Sequence, residues 1–493
     1  MARVLTSRGA TVALRPLRHR SFALLWSAGL ISVIGTWMQT VAVGALVISQ
    51  TGKATWAVLV AAGAFLPLGL VSPIGGALAD RLPRRPVLVA GNLAEGLIAV
   101  AIAILVARGP ASPLVLLGLV TVQGCAAALV GPFQQAILPD LVPRSEFLAA
   151  ASLNSALFNL GRIAGPALAG VTVAAFGYPV AFVANAVSFL AVVAALAFVR
   201  LPAPPRAQSG GLFSSLRAGL AAARAEPTCW AAIRTIAVVG IIASPFIALV
   251  PVMAHHLAHG AGEREVAQVT GLLTTAQGAG AVAGALILAP LGERIGLGRL
   301  VAGSLVALPV TLIGYATSQQ PWWGAATLFT VGLVYIGVLS GLSTLVQLRA
   351  PGAFRGRILS FYLVALGVSY PIGSLAQGPV IDRIGVGWTT AGSAVLLLLV
   401  MTVVRIVRPG YVRAITQVRA AAAAPLDLQA GPPEEPVTAG PAVAGAPVLG
   451  APVPGAPVNE TTAAGAACRG PGCGAGAGPP GGAGAGQTGA TSE

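Results

Sequence analysis

Residues 55–107 read TWAVLVAAGAFLPLGLVSPIGGALADRLPRRPVLVAGNLAEGLIAVAIAILVA, which is two long apolar runs around one short charged loop. The runs, 55–79 and 87–107, contain 25 and 21 residues, and the loop between them, 80–86, contains one aspartate and three arginines. A helix needs roughly 20 apolar residues to cross the hydrocarbon layer of a membrane. The stretch therefore predicts two membrane-spanning helices joined by a tight turn at the water boundary.

Ten further apolar runs flank this pair. They cover approximately residues 22–48, 113–138, 148–176, 179–199, 231–253, 267–290, 300–317, 323–347, 358–381 and 388–407. The chain of 493 residues is 56% hydrophobic and 9% charged, which excludes a water-soluble globule because soluble domains carry about 25% charge. The runs lack two-residue alternation and exceed the ~10 residues of a barrel strand. The sequence predicts an all-α membrane protein with twelve transmembrane helices.

Charged residues lie mainly in the loops and are divided unequally between the two sides of the predicted membrane. The loops on one side, together with both termini, contain 21 arginines before residue 409, whereas the other side contains only Lys53, Arg108, Arg264 and Arg383. Cytoplasmic loops are enriched in Lys and Arg, so both termini are expected in the cytoplasm. The net charge of +15 does not indicate nucleic-acid binding, because apolar runs separate the charges.

The longest interior loop divides the twelve runs six and six, which predicts two six-helix bundles. The expected parts are a cytoplasmic arm (1–20), an N-terminal bundle (21–200), a cytoplasmic linker (201–230), a C-terminal bundle (231–408) and a disordered Ala/Gly/Pro-rich tail (409–493). The linker places Leu212, Phe213, Leu216 and Leu220 on one helical face, as in a helix on a membrane surface, although a linker without fixed structure fits nearly as well. The first run is too long for the core of a cleaved signal peptide.

Two motifs carry a family resemblance. The loop at 80–86, with the preceding Gly75-Gly76-Ala77-Leu78-Ala79, resembles the G-x-L-A-D-R-x-G-R-[RK] signature of the major facilitator superfamily, with Pro83 in place of the second glycine. Residues 161–170 in the fifth run are similar to the G-x-x-x-G-P-x-x-G-G signature of its drug-antiporter branch. Three more stretches look like the enterobactin-exporter and macrolide-exporter group, namely 35–39, 138–143 and 355–357.

The resemblance implies alternating access and a set of gating residues. On the cytoplasmic side and in the fifth run these are Gly76, Asp80, Arg81, Arg84, Asp140, Arg357, Gly161, Gly165 and Pro166. Many proton antiporters of the superfamily have an arginine in the fourth span, three residues before a Gln-Gly pair. This chain has Val120 there, so that route of proton coupling is not implied.

Two ionisable residues lie well inside the predicted spans, and such residues are functional candidates by default. Arg162 is near the middle of the fifth run, where it is suited to an anionic or carbonyl-rich substrate. Its alternative role is to satisfy protein acceptors such as Asn159. Glu95 in the third run is a candidate proton carrier, although a structural role bonded to a neighbouring helix is favoured over it.

Polar and aromatic residues on other spans could complete a substrate cavity with Arg162. They are Asn159, Gln39, Trp37, Gln123, Gln277, Tyr335 and Tyr370. Each alone is more often a helix-packing contact. His255, His256 and His259, with the nearby Glu263 and Glu265, fit an exposed loop better than a zinc site or a pH sensor.

The sequence favours a secondary transporter that exports an amphipathic small molecule, such as a siderophore or an antibiotic, across the plasma membrane by proton antiport. No catalytic constellation, metal site or cofactor motif is present in the sequence, so enzymatic activity is not expected. The expected partners are the small molecule, the lipid bilayer and protons, with the protein acting as a monomer and without nucleic acid. The alternatives are a nutrient or lipid uptake carrier of the same fold and a membrane scaffold or sensor that transports nothing.

Overall fold

The computed structural model describes residues 14–79, 81–199, 201, 212–259 and 262–416, and their regular structure is entirely helical. The N-terminal set of helices comprises α1 (Arg20–Thr51), α2 (Ala54–Ala79), α3 (Arg84–Ala107), α4 (Pro113–Ile137), α5 (Phe147–Phe176) and α6 (Tyr178–Phe198). A short helix, α7 (Leu212–Ala225), precedes the C-terminal set. That set comprises α8 (Pro227–Ile242), α9 (Val250–Leu257), α10 (Glu263–Ile295), α11 (Leu297–Ala316), α12 (Pro321–Arg349), α13 (Arg355–Ile384) and α14 (Val386–Val407), and is followed by α15 (Pro409–Thr416).

Eleven of the described helices, α1–α6 and α10–α14, are long and apolar enough to cross a membrane. The count rises to twelve if the bent pair Arg217–Ala225 and Pro227–Ile242 is treated as one span. This agrees with an all-helical membrane protein and differs from the predicted twelve continuous spans at one place. That place is the predicted run 231–253.

The run 231–253 is broken in its middle. The structure divides it between α8 and α9, with a 3-10 turn at Ser244–Ile247 between them. Pro245 and Pro251 explain the break, because proline has no N–H to continue the helical ladder and disfavours helical geometry in the residue before it. Sequence hydropathy detects the apolar character of this segment but not the interruption.

The two sets meet along a few helix pairs. Within the N-terminal set, α1 packs against α5 and α6, α2 against α4, and α3 against α4 and α6. Within the C-terminal set, α12 packs against α10 and α11, and α8 against α13. Contacts between the sets are made by α5 with α10, α2 with α13, and α1 with α9 and α10. The candidate site is built at these crossings.

Gly161 and Gly165 form a face of small residues on α5, and this face packs against α1. A Cβ atom at Gly165 would lie 2.5 Å from the Cβ of Trp37, and one at Gly161 would overlap Val33. The carbonyl of Pro166 faces the other set, where it would lie 2.6 Å from a Cβ at Gly271 of α10. These three positions therefore hold α5 close to both α1 and α10.

Gly76, one of the predicted gating residues at the end of α2, does not face a neighbouring helix. A Cβ atom at Gly76 would meet nothing within 4 Å, whereas one at Gly75 would lie 2.7 Å from the carbonyl oxygen of Leu129 on α4. The first glycine of the pair faces the neighbouring helix, because consecutive residues on a helix point about 100° apart.

The predicted linker and tail differ from the structure where both are described. The part of the linker from Leu212 to Ala225 is helical, and α8 begins at Pro227, before the predicted bundle boundary at 231. The expectation of disorder from residue 409 is wrong for its first eight residues, because α15 packs against α8, α11 and α14 and buries Ile415. Residues 1–13, 202–211 and 417–493 of the predicted arm, linker and tail lie outside the described residues.

Candidate functional site

Arg162 lies where α5 crosses α10. Its own carbonyl oxygen would be 3.1 Å from a Cβ at Gly278, and Thr275 donates to the carbonyl of the next residue, Ile163, at 3.4 Å. The side chain is half-buried. Within the described part of the chain, no carboxylate oxygen lies within 4.0 Å of its guanidinium. A cation is thus held at the contact between the two helix sets without a fixed acidic partner.

The side-chain amide of Asn159 bonds to its own helix and not to the guanidinium of Arg162. Its Nδ2 donates to the carbonyl of Ser155 at 2.9 Å, one turn earlier on the same helix, and the residue is exposed. Asn159 is therefore not found bonded to the guanidinium of Arg162, and the wider structural alternative, in which protein acceptors satisfy Arg162, stays open. Phe158, half exposed beside Asn159, adds an aromatic surface to this stretch of α5.

Tyr335 on α12 is a neighbour of Arg162. Its hydroxyl is 2.8 Å from the hydroxyl of Ser244, and its ring meets the ring of Phe246 edge-on at 5.4 Å. Ser244 and Phe246 both belong to the turn that interrupts the α8–α9 segment. The break in that segment therefore fixes the orientation of a tyrosine at the central crossing.

Tyr370 on α13 forms the opposite side of the same cluster. Its ring packs edge-on against Phe65 of α2 at 5.8 Å, and Tyr335 lies nearby. Its hydroxyl is buried and has no hydrogen-bond partner among the described residues. Since buried polar groups are normally satisfied, this hydroxyl is available to a ligand or to water. Sequence reasoning missed Phe65, Phe246 and Ser244, because no motif marks them.

Gln39 and Gln123 are committed to a buried chain of side chains inside the N-terminal set. Gln39 donates to Gln123 at 2.6 Å and accepts from Asn185 at 2.8 Å. Ser188 donates to the carbonyl of Asn185 at 2.6 Å. The chain links α4, α1 and α6, and the sequence did not single out Asn185 or Ser188. The two glutamines predicted to contact substrate thus bond to protein groups.

Replacing Gln39 by leucine is expected to lower stability by about 1 kcal/mol, because interhelical hydrogen bonds in membranes contribute about 0.6 kcal/mol each, with a maximum near 1.7. The variant removes two such bonds and leaves Gln123 and Asn185 without their partner. The matched control is Asn159→Leu, whose amide bonds only to its own helix. Thermal unfolding in detergent measures both, and equal melting temperatures for the two variants would contradict the role of the chain.

The remaining residues predicted to contact substrate, Trp37 and Gln277, lie at different helix contacts. Trp37 is half-buried, and its Cβ packs against Gly165 at the α1–α5 contact. Gln277 is buried beside Gly278, at the crossing that holds Arg162. The structure therefore brings together Arg162, Tyr335, Tyr370 and the Gln277–Gly278 segment.

Glu95 lies away from that crossing. It is buried on α3, whose packing partners are α4 and α6, and the following Gly96 faces Phe189 of α6. Its neighbour Asn92, also buried, donates to the carbonyl of Leu88 at 2.7 Å. Glu95 therefore lies between helices of one set, and both roles suggested for it, proton carrier and structural residue, stay predictions.

Part of the predicted inner charge network is visible. The buried guanidinium of Arg84 forms an ion pair with Asp140, and its Nε has no hydrogen-bond partner among the described residues. Arg81 is exposed. Arg357 lies instead over the ring of Phe354 at 5.6 Å and alongside Gly219 of α7. Asp80 lies outside the described residues.

The end of the molecule where α1 meets α2 is closed by contacts between the two sets. Asp382, near the end of α13, accepts hydrogen bonds from the backbone N–H groups of Ala54 at 2.6 Å and Thr55 at 3.2 Å. It thereby caps the N-terminus of α2, and one turn earlier Gly378 lets the two helices touch at Thr55. No local sequence pattern identifies Asp382, because the backbone N–H groups that donate to it lie 328 and 327 residues away in the chain.

A depression of about 640 Å³ lies beside this cap and is lined in part by Lys53, His255, His256 and Asp382. The described residues contain no group of three or more His, Cys, Asp or Glu side chains arranged to hold a metal ion. His259 instead contacts the carbonyl of Leu257 at 2.7 Å.

Long apolar helices in two contacting sets, with tyrosines and a cation that has no carboxylate partner among the described residues at their crossing, are typical of a multi-pass membrane transporter. Residues 11–433 match the family described as transmembrane secretion effector, and the chain belongs to this family of the major facilitator superfamily. It is therefore a transporter of the plasma membrane for a small molecule and not an enzyme.

Relatives and solved structures agree with this assignment. The enterobactin exporter EntS of Escherichia coli is 29% identical over 410 residues, covering 78% of this chain and 93% of the exporter. The multidrug efflux pump Tap of Mycobacterium tuberculosis is 27% identical over 393 residues, covering 75% and 88%. A bacterial homolog of the human lysosomal transporter Spinster, solved in an inward-facing conformation, has a TM-score of 0.62 at 15% identity, covering 82% of this chain and 99% of that one.

Proposed function

We propose that this protein exports an amphipathic small molecule that carries anionic or hydrogen-bond-accepting groups, such as a siderophore or an antibiotic. The observation that carries the proposal is Arg162, a half-buried cation without a carboxylate partner among the described residues, at the α5–α10 crossing. A guanidinium offers a planar fork of N–H donors that matches carboxylates and similar acceptors. The relatives named above, a siderophore exporter and a multidrug pump, support export as the direction of transport and the same class of substrate.

The proposed mechanism is alternating access between two six-helix bundles. The N-terminal bundle is α1–α6, and the C-terminal bundle is α8–α14, with the broken α8–α9 segment counted as one span. Both termini lie in the cytoplasm by the distribution of arginine. The described closed end, at Asp382 and the N-terminus of α2, then faces outward, and the Arg84–Asp140 pair with Asp80 and Arg81 belongs to the inner gate. The protein acts as a monomer.

Substrate recognition follows from the groups around Arg162. An acidic or carbonyl group of the substrate binds the guanidinium, and the hydroxyl of Tyr370 provides a further hydrogen bond, because it has no described partner. The rings of Phe65 and Tyr370 offer an apolar surface for the rest of the molecule. Gln277 and Asn159 lie close along the chain to this crossing and complete the polar surface.

Proton antiport drives the export in this proposal, with Glu95 as the candidate carrier of the proton. Vesicles containing the purified protein, with an acidic lumen, should accumulate a siderophore or drug in their interior as protons leave. A protonophore should abolish the accumulation, and protein-free vesicles provide the control. Substrate movement in the same direction as the protons would indicate uptake by symport, and no movement of any compound in a siderophore and antibiotic panel would favour the scaffold alternative.

A further inference from the structure

A cluster of arginine and aromatic side chains lies where α7, α8 and α15 meet. The guanidinium carbon of Arg224 is 5.3 Å from the centre of the Trp230 ring, and that of Arg234 is 5.7 Å from the same ring. Arg234 also lies 5.0 Å from the centre of the Tyr411 ring. Two cations therefore share one tryptophan, and we call these four residues the Trp230 cluster.

The cluster is fixed in place by the docked helix α15. The hydroxyl of Tyr411 lies 2.9 Å from the carbonyl of Ala231, to which it donates, and 2.5 Å from the hydroxyl of Thr235. Thr228 donates to the carbonyl of Ala414 at 3.1 Å, which attaches the next turn of α15 to the start of α8. The geometry of Arg234 over Tyr411 is thus set by the hydrogen bonds of the half-buried tyrosine and not by the exposed arginine alone.

The depth of the Trp230 cluster corresponds to the membrane–water interface. Trp230 lies in the first turn of α8, and the helix segment before it, Arg217–Ala225, meets α8 at 106°. With α8 as the start of a membrane crossing, the bend of 106° directs α7 along the membrane surface, and we adopt this arrangement over a single broken span of α7 and α8. Trp and Tyr are enriched at this depth, where their rings contact lipid and their polar atoms contact water.

The charge of the cluster is uncompensated within the described protein. Arg224 and Arg234 are exposed, and no carboxylate oxygen of the described residues lies within 4.0 Å of either guanidinium. The helix ends at this side of the C-terminal set, residues 212–234, 290–299, 349–357 and 405–413, contain eleven arginines and two glutamates. Each guanidinium lies 5–6 Å from the same ring, and an anion beside them would be attracted to both positive charges.

We propose that the Trp230 cluster binds the phosphodiester headgroup of an anionic phospholipid. The two guanidiniums supply the N–H donors that match phosphate oxygens, and the half-buried indole packs against the glycerol and the upper acyl chain. A lipid is the occupant because the site opens at headgroup depth beside an apolar helix, where phosphate is attached to a hydrocarbon chain. The binding surface lies outside the substrate crossing at Arg162.

The test uses the full-length protein in phosphatidylcholine nanodiscs with and without phosphatidylglycerol. Native mass spectrometry counts the retained anionic lipids, and thermal unfolding measures their stabilising effect. For Arg224→Gln/Arg234→Gln, we expect affinity for phosphatidylglycerol to fall about 10- to 30-fold, since each basic residue near a lipid surface contributes about 1 kcal/mol. The matched control, Arg294→Gln/Arg299→Gln, removes two charges from the same side but not from Trp230, and should keep the affinity.

Several outcomes would overturn the proposal. Equal losses in the two double variants would mean that only total charge matters. Stabilisation of the wild type by inorganic phosphate in pure phosphatidylcholine would mean that a free anion, and not a lipid, occupies the cluster. Unchanged phosphatidylglycerol binding in Arg224→Gln/Arg234→Gln would exclude the cluster as the site. Equal melting temperatures of all variants in phosphatidylcholine confirm that the comparison is made between folded proteins.

Discussion

Arg162→Ala is expected to weaken substrate binding about 10- to 100-fold while leaving the melting temperature close to that of the wild type. A hydrogen bond to a charged group contributes about 1.5–3 kcal/mol, which gives this range. Stability is expected to change little, because the guanidinium has no described carboxylate partner whose charge would be left unpaired by the replacement. The substrate affinity of Arg162→Lys should lie between those of the wild type and Arg162→Ala, since lysine keeps the charge but not the planar fork of N–H donors.

The measurement is equilibrium binding, in detergent, of whichever compound the vesicle assay shows to be transported. Arg108→Ala is the matched control, because it removes an exposed arginine at the end of α3, away from the α5–α10 crossing. Comparing an acidic compound with its neutral ester separates charge recognition from packing, since the loss in Arg162→Ala should be larger for the acid. Equal affinity of wild type and Arg162→Ala for the acid would remove this residue from the site.

Asp382→Asn should make the end of the molecule at the start of α2, which we propose faces outward, open more readily. Asp382 accepts bonds from two N–H groups at the start of α2, whereas asparagine has one acceptor oxygen and no charge to favour the positive helix end. Losing a capping side chain costs about 0.5–2 kcal/mol. Because Asp382 is exposed, a value near 1 kcal/mol is expected, which shifts the closed-to-open ratio about fivefold.

A cysteine at Val58 reports this opening, because Val58 is buried under Gly378 at the α2–α13 contact. In a background without the native cysteines, the rate of reaction with a water-soluble thiol reagent should rise about fivefold in Asp382→Asn. Glu265→Gln provides the control, as it removes an exposed carboxylate at the same end in the first turn of α10. Equal reaction rates in the two variants would show that the cap does not hold the outward end closed.

The sequence predicted the membrane spans well because hydrocarbon imposes a simple requirement of length and apolarity. It missed the break at Ser244–Ile247, since a broken span has the same hydropathy as a continuous one. It also placed α15 in a disordered tail, because Tyr411 and Ile415 dock through contacts with helices distant in sequence.

The candidate site was predicted only in part, because contacts between helices distant in sequence also determine which residues belong to it. Arg162 stood out because a cation deep in an apolar run is costly unless it has a role. Gln39 and Gln123 were equally conspicuous, but their amides bond to each other, and pairing of this kind depends on which helices are neighbours. Asp382 and Phe65 gain their positions from contacts across the two sets, which no local pattern encodes.

The buried amide chain through Gln39 and the interrupted α8–α9 segment give the two helix sets different mechanical properties. The N-terminal set is braced from within by Gln123, Gln39 and Asn185 on three helices. In the C-terminal set, the α8–α9 segment is broken at Ser244, whose hydroxyl bonds to Tyr335 near Arg162. We therefore expect a bound molecule to displace the α8–α9 segment of the C-terminal set more than the hydrogen-bonded helices of the N-terminal set.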